Sequence, residues 1–107
     1  MNLIEKKCVP CTVNTSPLPQ DKIDLLLAHI EGWTMENGHL KKTFKFKNFL
    51  DAMIFVNQVA IVAEEENHHP DIIITWNKVT CDLFTHAIKG LSENDFIMAA
   101  KINKIIS

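Results

Sequence analysis

The sequence predicts an α+β fold: a four-stranded antiparallel sheet made of two hairpins, with three helices packed on one face. Stretches with apolar residues at helical spacing alternate with pairs of strand-like stretches, in the order α-β-β-α-β-β-α. The chain has 107 residues, which is enough for one domain with a modest core. We therefore expect an irregular N-terminal arm over residues 1–16 and a single domain over residues 17–107.

In the part of the chain before the sheet, the sequence predicts the arm and one helix. Three prolines and a polar stretch leave the arm without periodicity. The helix is expected over 20–31, where Ile23, Leu26 and Ile30 fall at helical spacing. Gly32 stands where helices commonly end, because glycine tolerates the left-handed conformation found there.

The first hairpin is predicted by its turn. Asn37 and Gly38 both tolerate positive φ and form a strong signal for a two-residue turn. A short strand over 33–35 and a return strand over 39–46 flank it. Apolar residues and lysines alternate along the return strand, which predicts one face toward a core and one toward water.

The middle of the chain predicts a long helix over about 48–67. Pro70 keeps it from running far past His69, since the residue before a proline avoids helical geometry. Two neighbouring apolar rows give a wide band that is typical of a helix packed on a sheet. These rows are Phe49, Met53, Val56, Ala60 and Ala63, and beside them Leu50, Ile54, Asn57 and Ile61.

The last third predicts a second hairpin and a final helix. Strands over 71–76 and 79–84 are expected around a turn at 77–78. The helix is expected over 93–105, because Ser92 followed by Asp95 three positions later is typical of a helix start. Its core candidates are Phe96, Ile97, Ala100 and Ile105.

The composition narrows the function classes. The formal net charge is −2 and no basic cluster is present, which argues against direct binding of nucleic acid. No apolar run has the length needed to span a bilayer, and the N-terminus lacks an apolar signal core. Three cysteines, an odd number, suit a reducing compartment. We therefore expect a cytoplasmic protein.

The segment from Glu64 to Pro70 holds the residues best suited to proton transfer. Glu64 and His68 are four residues apart, so on a helix their side chains lie on one face and can touch. A carboxylate beside an imidazole fixes its tautomer and prepares it to exchange protons near neutral pH. His69 leaves the backbone in another direction, and Pro70 fixes where both rings point. This junction is a candidate active site.

The second hairpin predicts that a third imidazole joins the first two. A hairpin that begins at Pro70 returns its far end close to its start, so His86 should arrive near His69. Trp33 and Trp76 are candidates for a flat apolar wall around a ring system, although each is most simply explained as a core residue. The convergence of these groups indicates a catalytic pocket.

Several stretches of the chain together have the spacing of a known signature. The chain resembles the pterin-4a-carbinolamine dehydratase family over about residues 17–105. The stretches that carry the resemblance are Gly32-Trp33, Glu64-(three residues)-His68-His69-Pro70, Trp76-Asn77-Lys78-Val79, Thr85-His86, and Gly90-Leu91-Ser92-(two residues)-Asp95.

The resemblance implies a dehydration of 4a-hydroxytetrahydropterin to a quinonoid dihydropterin, in tetrahydrobiopterin recycling. The substrate is the product of pterin-dependent aromatic amino acid hydroxylases. A neighbouring ring nitrogen expels the hydroxyl group, so no metal or organic cofactor is required. By the resemblance, the site is lined by His68, His69 and His86, supported by Glu64 and Asp95, with Trp33 near the pocket.

The residue types fit the reaction. Hydroxide is a poor leaving group, so a proton must reach the departing oxygen while another leaves a ring nitrogen. Both steps suit groups that titrate near neutrality. We assign His68 and His86 as the proton-transfer pair and His69 as a substrate-positioning residue. The sequence leaves open which of the pair is the acid.

Two rival hypotheses remain open. The first is a metal site, since imidazoles and carboxylates bind zinc or iron, although adjacent histidines seldom hold one ion together. Cys8 and Cys11 form one Cys-x-x-Cys pair, but no second pair completes a zinc site, and Cys81 alone cannot. A structural or incidental role is expected for these cysteines.

The second rival hypothesis is a protein-binding module. The resemblance implies that some family members act in animals as dimerisation partners of a transcription factor. An uncovered sheet face and the short chain also predict self-association into a homodimer or homotetramer.

Overall fold

The structure, a computed structural model, describes residues 2–11 and 15–106. Most of the polar stretch at 12–16 lies outside these ranges. The predicted order of helices and strands is confirmed. The elements are α1 (Gln20–Leu27), β1 (Thr34–Glu36), β2 (His39–Lys45), α2 (Phe49–Glu66), β3 (Asp71–Thr75), β4 (Lys78–Leu83) and α3 (Glu93–Ile105), with 3-10 turns at Leu3–Glu5 and His86–Ile88. None of the helices in the described ranges has the length and apolar character that crossing a bilayer requires.

The two hairpins join into one antiparallel sheet with the strand order β1-β2-β4-β3. Strand β4 pairs with β2 in a register that places Leu83 opposite Leu40 and Val79 opposite Phe44. Alternate residues of these central strands therefore face the same side. This face is buried under the helices, and its fully or almost fully buried residues are Leu40, Phe44, Val79, Cys81 and Leu83.

The two turns differ in how well the sequence predicts them. Asn37 and Gly38 have φ angles of 52° and 81°, as the expected two-residue turn requires. The second turn was expected at 77–78, but strand β3 ends at Thr75 and the turn consists of Trp76 and Asn77. Asn77 is buried, and its Nδ2 donates to the carbonyl oxygen of Phe46 at 3.0 Å. This bond to the end of β2 fixes the turn one residue earlier than predicted.

Helix α1 is shorter than predicted, since it ends at Leu27 and not near residue 31. The N–H groups of His29 and Ile30 donate to carbonyls three residues back, which tightens the chain into turns. Ile30 is still buried, at 1% exposure. The turn after α1 packs into the same core as the helix. This explains why the apolar pattern in the sequence extends beyond the end of the helix.

Gly32 does not end the helix, but it is required where it stands. Its φ is +85°, which side chains other than glycine rarely adopt. A Cβ atom there would lie 2.8 Å from Cε of Lys42. The Lys42 ammonium group reaches past it to the carbonyl of Glu31 at 2.9 Å.

Helix α2 buries a side that neither of its two predicted rows describes, since Ala63 is the one residue of those rows that is buried. Asn48 caps its start by accepting a hydrogen bond from the N–H of Asp51 at 2.8 Å. The buried side chains are Ala52, Phe55, Val59, Ala63 and Glu66. Both predicted rows are therefore wrong as core elements, because Phe49 of the first and Leu50, Ile54 and Ile61 of the second are 50–68% exposed.

Replacing Phe55 with alanine should destabilise the protein strongly. Phe55 is 2% exposed, and its ring lies 4.7 Å from the Phe44 ring and 5.0 Å from the Phe46 ring. The cavity left by removing a buried phenylalanine ring lowers the free energy of unfolding by about 3–5 kcal/mol. Urea denaturation measures the change. Phe49→Ala on the same helix is the matched control, since Phe49 is 51% exposed. Equal losses in the two variants would contradict the packing described.

Candidate active site

One cavity of about 580 Å³ lies where the N-terminal arm, the end of α2 and the loop after β4 meet. Its volume falls within the range of small-molecule sites, about 300–1,000 Å³. His68, His69 and His86 all line it. The structure thus brings together the three imidazoles that the sequence predicted to converge. The first and the last of them are 18 residues apart along the chain.

His68 is held by the end of helix α2 and by a buried carboxylate. Asn67 adopts a left-handed conformation with φ of 53°, and the N–H of His68 then bonds back to the carbonyl of Ala63. Nε2 of His68 lies 2.7 Å from Oδ1 of Asp95. A carboxylate can only accept, so Nε2 carries the hydrogen of this bond and Nδ1 is left for proton exchange.

Asp95 is completely buried at the start of helix α3. Its Oδ2 accepts hydrogen bonds from the N–H of Ser92 at 2.9 Å and the hydroxyl of Thr85 at 2.7 Å. The predicted capping arrangement of Ser92 and Asp95 is thereby confirmed. Because its other oxygen binds His68, one carboxylate starts a helix and orients an imidazole.

Glu64 lies against His69 and not against His68 as expected. Its Oε2 is 2.5 Å from Nε2 of His69. The chain leaves helical geometry at Asn67, so the spacing of four residues that would join Glu64 to His68 on a helix no longer applies. Both side chains of the observed pair are exposed, at 53% for His69 and 78% for Glu64. Such a pair contributes little to stability.

His86 is presented by a closed loop after β4. The N–H of Thr85 and that of Gly90 each donate to the other residue's carbonyl, at 3.0 and 3.4 Å, and close the loop around His86. The exposed imidazole meets the ring of Phe84 edge-on, with centroids 5.1 Å apart. Phe84 in turn stacks on His39 at 4.1 Å. An aromatic stack therefore supports the third imidazole.

The predicted tryptophan wall is not found among the described residues that line the cavity. Trp33 is 5% exposed in the core, where its Nε1 donates to Oδ1 of Asn103 at 3.0 Å. Trp76 is 69% exposed in the second turn. Pro70 directly follows a cavity-lining residue in the chain but does not itself line the cavity. Phe84 is the aromatic ring found there instead.

No group of three or more histidine, cysteine or acidic residues within 2–11 and 15–106 is arranged to hold a metal ion. Cys8, Cys11 and Cys81 are all free thiols.

Comparison with known proteins identifies the family. The model of the family described as pterin 4 alpha carbinolamine dehydratase matches residues 16–105. The chain belongs to this family.

Relatives of this dehydratase family match the chain over nearly its whole length. A proposed pterin-4-alpha-carbinolamine dehydratase from Alkaliphilus metalliredigens is 49% identical over 105 residues, covering 96% of this chain and 95% of the relative. Another, from Rickettsia canadensis, is 48% identical and covers 97% of both chains. A crystal structure of a transcriptional coactivator/pterin dehydratase from Brucella melitensis aligns with a TM-score of 0.82 at 33% identity, covering 86% of this chain and 100% of that one.

Sequence reasoning missed the contribution of the arm to this dehydratase-family cavity. Cys8, Val9, Pro10 and Cys11 form part of its lining. The Cys-x-x-Cys spacing was the available signal, but a structural or incidental role was expected for it, and the spacing gave no position for the pair. Asn94, which also lines the cavity, carried no signal of its own.

Glu66 is the buried carboxylate that fastens this arm. Its Oε1 accepts the N–H of Cys8 at 2.9 Å, and its Oε2 lies 2.8 Å from Nζ of Lys101. Burial alone would raise the pKa of Glu66, but these hydrogen bonds and the charges of Lys101 and Lys7 outweigh it and lower the pKa to about 2.

Acid should weaken the attachment of the arm through Glu66. The pKa of this carboxyl is lowered from 4.5 to about 2 on folding, so the unfolded chain binds more protons between these pH values. The contribution of Glu66 to the free energy of unfolding is complete above about pH 4.5 and is lost as the pH falls toward 2. Urea denaturation of wild type and Glu66→Gln should differ most above about pH 4.5 and converge only as the pH falls to about 2. The exposed neighbour Glu65→Gln is the control, and a constant difference across this range would contradict the assignment.

Proposed function

We propose that this protein dehydrates 4a-hydroxytetrahydropterins to quinonoid dihydropterins and water by histidine acid–base catalysis. The observation that carries the proposal is the convergence of three imidazoles on one cavity, with one of them anchored by a buried carboxylate. Membership of the dehydratase family supports the reaction class.

The reaction needs two proton movements and no electrons from outside. The bond between C4a and the hydroxyl oxygen breaks as a proton joins that oxygen to form water. The lone pair of the adjacent ring nitrogen forms the new double bond to C4a, and a proton leaves a ring nitrogen. Positioned acid–base groups accelerate such steps by about 10²–10⁴-fold.

The three histidines are suited to different tasks. His68 is oriented by Asp95 and keeps Nδ1 for proton exchange, which suits one member of the proton-transfer pair. His86 is exposed on the facing loop and suits the other member. His69 is paired with Glu64 where both side chains are exposed to solvent, and we assign it to substrate positioning.

The substrate places the protein after a hydroxylation. A 4a-hydroxytetrahydropterin arises when a pterin-dependent aromatic amino acid hydroxylase transfers one oxygen atom to its substrate. Removal of water is then the first step in regenerating the tetrahydropterin. This role in tetrahydrobiopterin recycling is part of the proposal.

His68→Ala and His86→Ala should each lower kcat about tenfold or more, because each removes one group of the proton-transfer pair. Stopped-flow measurement of carbinolamine loss, with the uncatalysed rate subtracted, gives the rates. Circular dichroism establishes that both variants fold. Rates like those of wild type in both variants would overturn the assignment.

Two further histidine variants sharpen this experiment. His69→Ala should raise KM more than it lowers kcat, as expected for a positioning residue. His29→Ala is the matched control, because His29 is exposed near α1 and does not line the cavity. A loss in His29→Ala equal to that in His68→Ala would indicate a nonspecific effect of removing imidazoles.

The protein-binding alternative has one specific observation in its favour. The Brucella melitensis neighbour is named a coactivator as well as a dehydratase. A binding role would use an exposed apolar surface, and Leu50, Ile54 and Ile61 provide one on α2. In cells, a phenotype that survives His68→Ala would favour this alternative over the dehydratase.

The same α2 surface supports self-association into a homodimer or homotetramer. Its apolar side chains fall at helical spacing and are too exposed for a core row. Edge strand β3 adds exposed Ile73 and Ile74. A small chain gains apolar burial by pairing such surfaces.

The double variant Ile54→Glu/Ile61→Glu should dissociate this oligomer, because it buries two charges at the contact. Light scattering at micromolar concentration measures the mass. Lys22→Glu changes the net charge by the same amount on exposed α1 and is the matched control. A monomeric wild type would refute the proposal.

A further inference from the structure

The N-terminal arm approaches the cavity from outside the matched family region. That region begins at residue 16, whereas the cavity wall includes Cys8–Cys11. The alignment with the Alkaliphilus metalliredigens relative covers 96% of this chain and so reaches back into the arm. The arm therefore lies outside the region that the family model matches, but it is shared with this relative and lines the cavity.

The arm is fastened at both ends of its described part. Leu3 is 3% exposed and belongs to the hydrophobic core, in a 3-10 turn that packs on α3. Lys6 and Glu93 form a surface ion pair at 3.0 Å. Nearer the cavity, Glu66 accepts the N–H of Cys8. These contacts fix the path of the arm before it reaches the pocket.

Asn94 holds the arm at the cavity itself. Its side chain is almost completely buried, at 4% exposure for the residue. Oδ1 accepts the N–H of Val9 at 3.0 Å, and Nδ2 donates to the carbonyl of Val9 at 2.5 Å. A side-chain amide that pairs with both backbone groups of one residue copies the pairing of a strand. Asn94 precedes Asp95, so the residue holding the arm sits beside the residue holding His68.

The two thiols lie around this amide. Sγ of Cys8 donates to the backbone carbonyl of Asn94 at 3.7 Å, and Nδ2 of Asn94 donates to Sγ of Cys11 at 3.4 Å. Burial and the nearby charge of Glu66 raise the pKa of Cys8 to about 12, so its sulfur is an uncharged thiol near neutrality. This segment contributes two sulfur atoms to the lining of the cavity that the imidazoles also line.

We propose that Cys8–Cys11 forms a substrate-binding wall of the pterin site, held in place by Asn94 and Glu66, and that it sets the affinity for the ring without taking part in proton transfer. The inference rests on the proposed function. It assigns Asn94 and Glu66 as positioning residues that act through the arm. A flat heterocycle bound between this wall and the imidazoles loses water on both faces, which strengthens its contacts.

Steady-state kinetics of two variants test the proposed wall. One variant changes a residue at the cavity, and the other changes a residue at the remote end of the arm. Asn94→Ala removes both bonds to Val9, and Leu3→Ala loosens the arm at its remote anchor. Each should raise KM while kcat stays within about twofold, and the increase should be about tenfold for Asn94→Ala. Glu5→Gln, an exposed change in the same arm outside the cavity, is the control. Unchanged KM in both variants overturns the proposal.

Protection of the thiols from chemical labelling gives a second readout, which does not require dehydratase activity. Iodoacetamide labelling, followed by mass spectrometry, reports each cysteine with and without a stable 7,8-dihydropterin. The pterin should slow labelling of Cys8 and Cys11 at least about threefold by occupying the cavity. Cys81 is completely buried in β4 and is the internal control. Asn94→Ala should speed the labelling of Cys8, since release of the arm exposes it.

The outcomes separate this inference from the proposed function. Protection of both arm thiols in a protein without dehydratase activity supports the wall and rejects the proposed reaction. Histidine-dependent dehydration with no thiol protection and an unchanged KM in Asn94→Ala supports the reaction and rejects the wall. If Asn94→Ala fails to fold, protection in wild type and the KM of Leu3→Ala decide the question alone.

Discussion

The buried carboxylate of Asp95 is the interaction on which both the fold and the site depend. A carboxylate without solvent is costly unless every oxygen is bonded. Here the N–H of Ser92, the hydroxyl of Thr85 and the imidazole of His68 supply those bonds. The partners come from the start of α3, the loop after β4 and the end of α2. Satisfying one charge therefore joins three separate segments at the edge of the cavity.

The helix start makes this arrangement stable. The first turn of α3 carries unpaired N–H groups and the positive end of the helix dipole, and both favour a negative charge. The hydroxyl of Thr85 also bonds that of Ser92 at 2.8 Å, which closes the network. Among the described residues, no buried polar side-chain atom lacks a partner. A network without free partners holds its imidazole in one orientation, as proton transfer requires.

Local signals predicted the parts of the fold that depend on a few neighbouring residues. The turn at Asn37 and Gly38 and the bounds of α3 follow from backbone chemistry within four positions. The end of α1 and the second turn did not, because distant contacts decide them. Asn77 is fixed by a bond to Phe46, 31 residues earlier. After α1 the periodicity predicted that Ile30 is buried, but it did not predict the turn that buries this residue.

Local sequence signals also fail to predict burial in the site, at the run of three glutamates that ends α2. In sequence the run has the pattern of a solvated helix face, and Glu64 and Glu65 are indeed exposed. Glu66 is buried because the arm and Lys101 approach it from 58 and 35 residues away. No spacing rule indicates partners that far apart. The convergence of the histidines was predictable only because a hairpin joins them.

Burial also explains why two adjacent histidines with similar partners suit different tasks. The pair of His68 and Asp95 lies away from water, so its hydrogen bond is strong and fixes the ring. The pair of His69 and Glu64 is screened by solvent and exchanges its bond for another at little cost. A rigid imidazole suits proton transfer at a defined atom, whereas an adaptable one suits contact with an incoming substrate. The path of the chain after Asn67 turns one ring inward and leaves its neighbour in solvent, and this difference in solvation separates their roles.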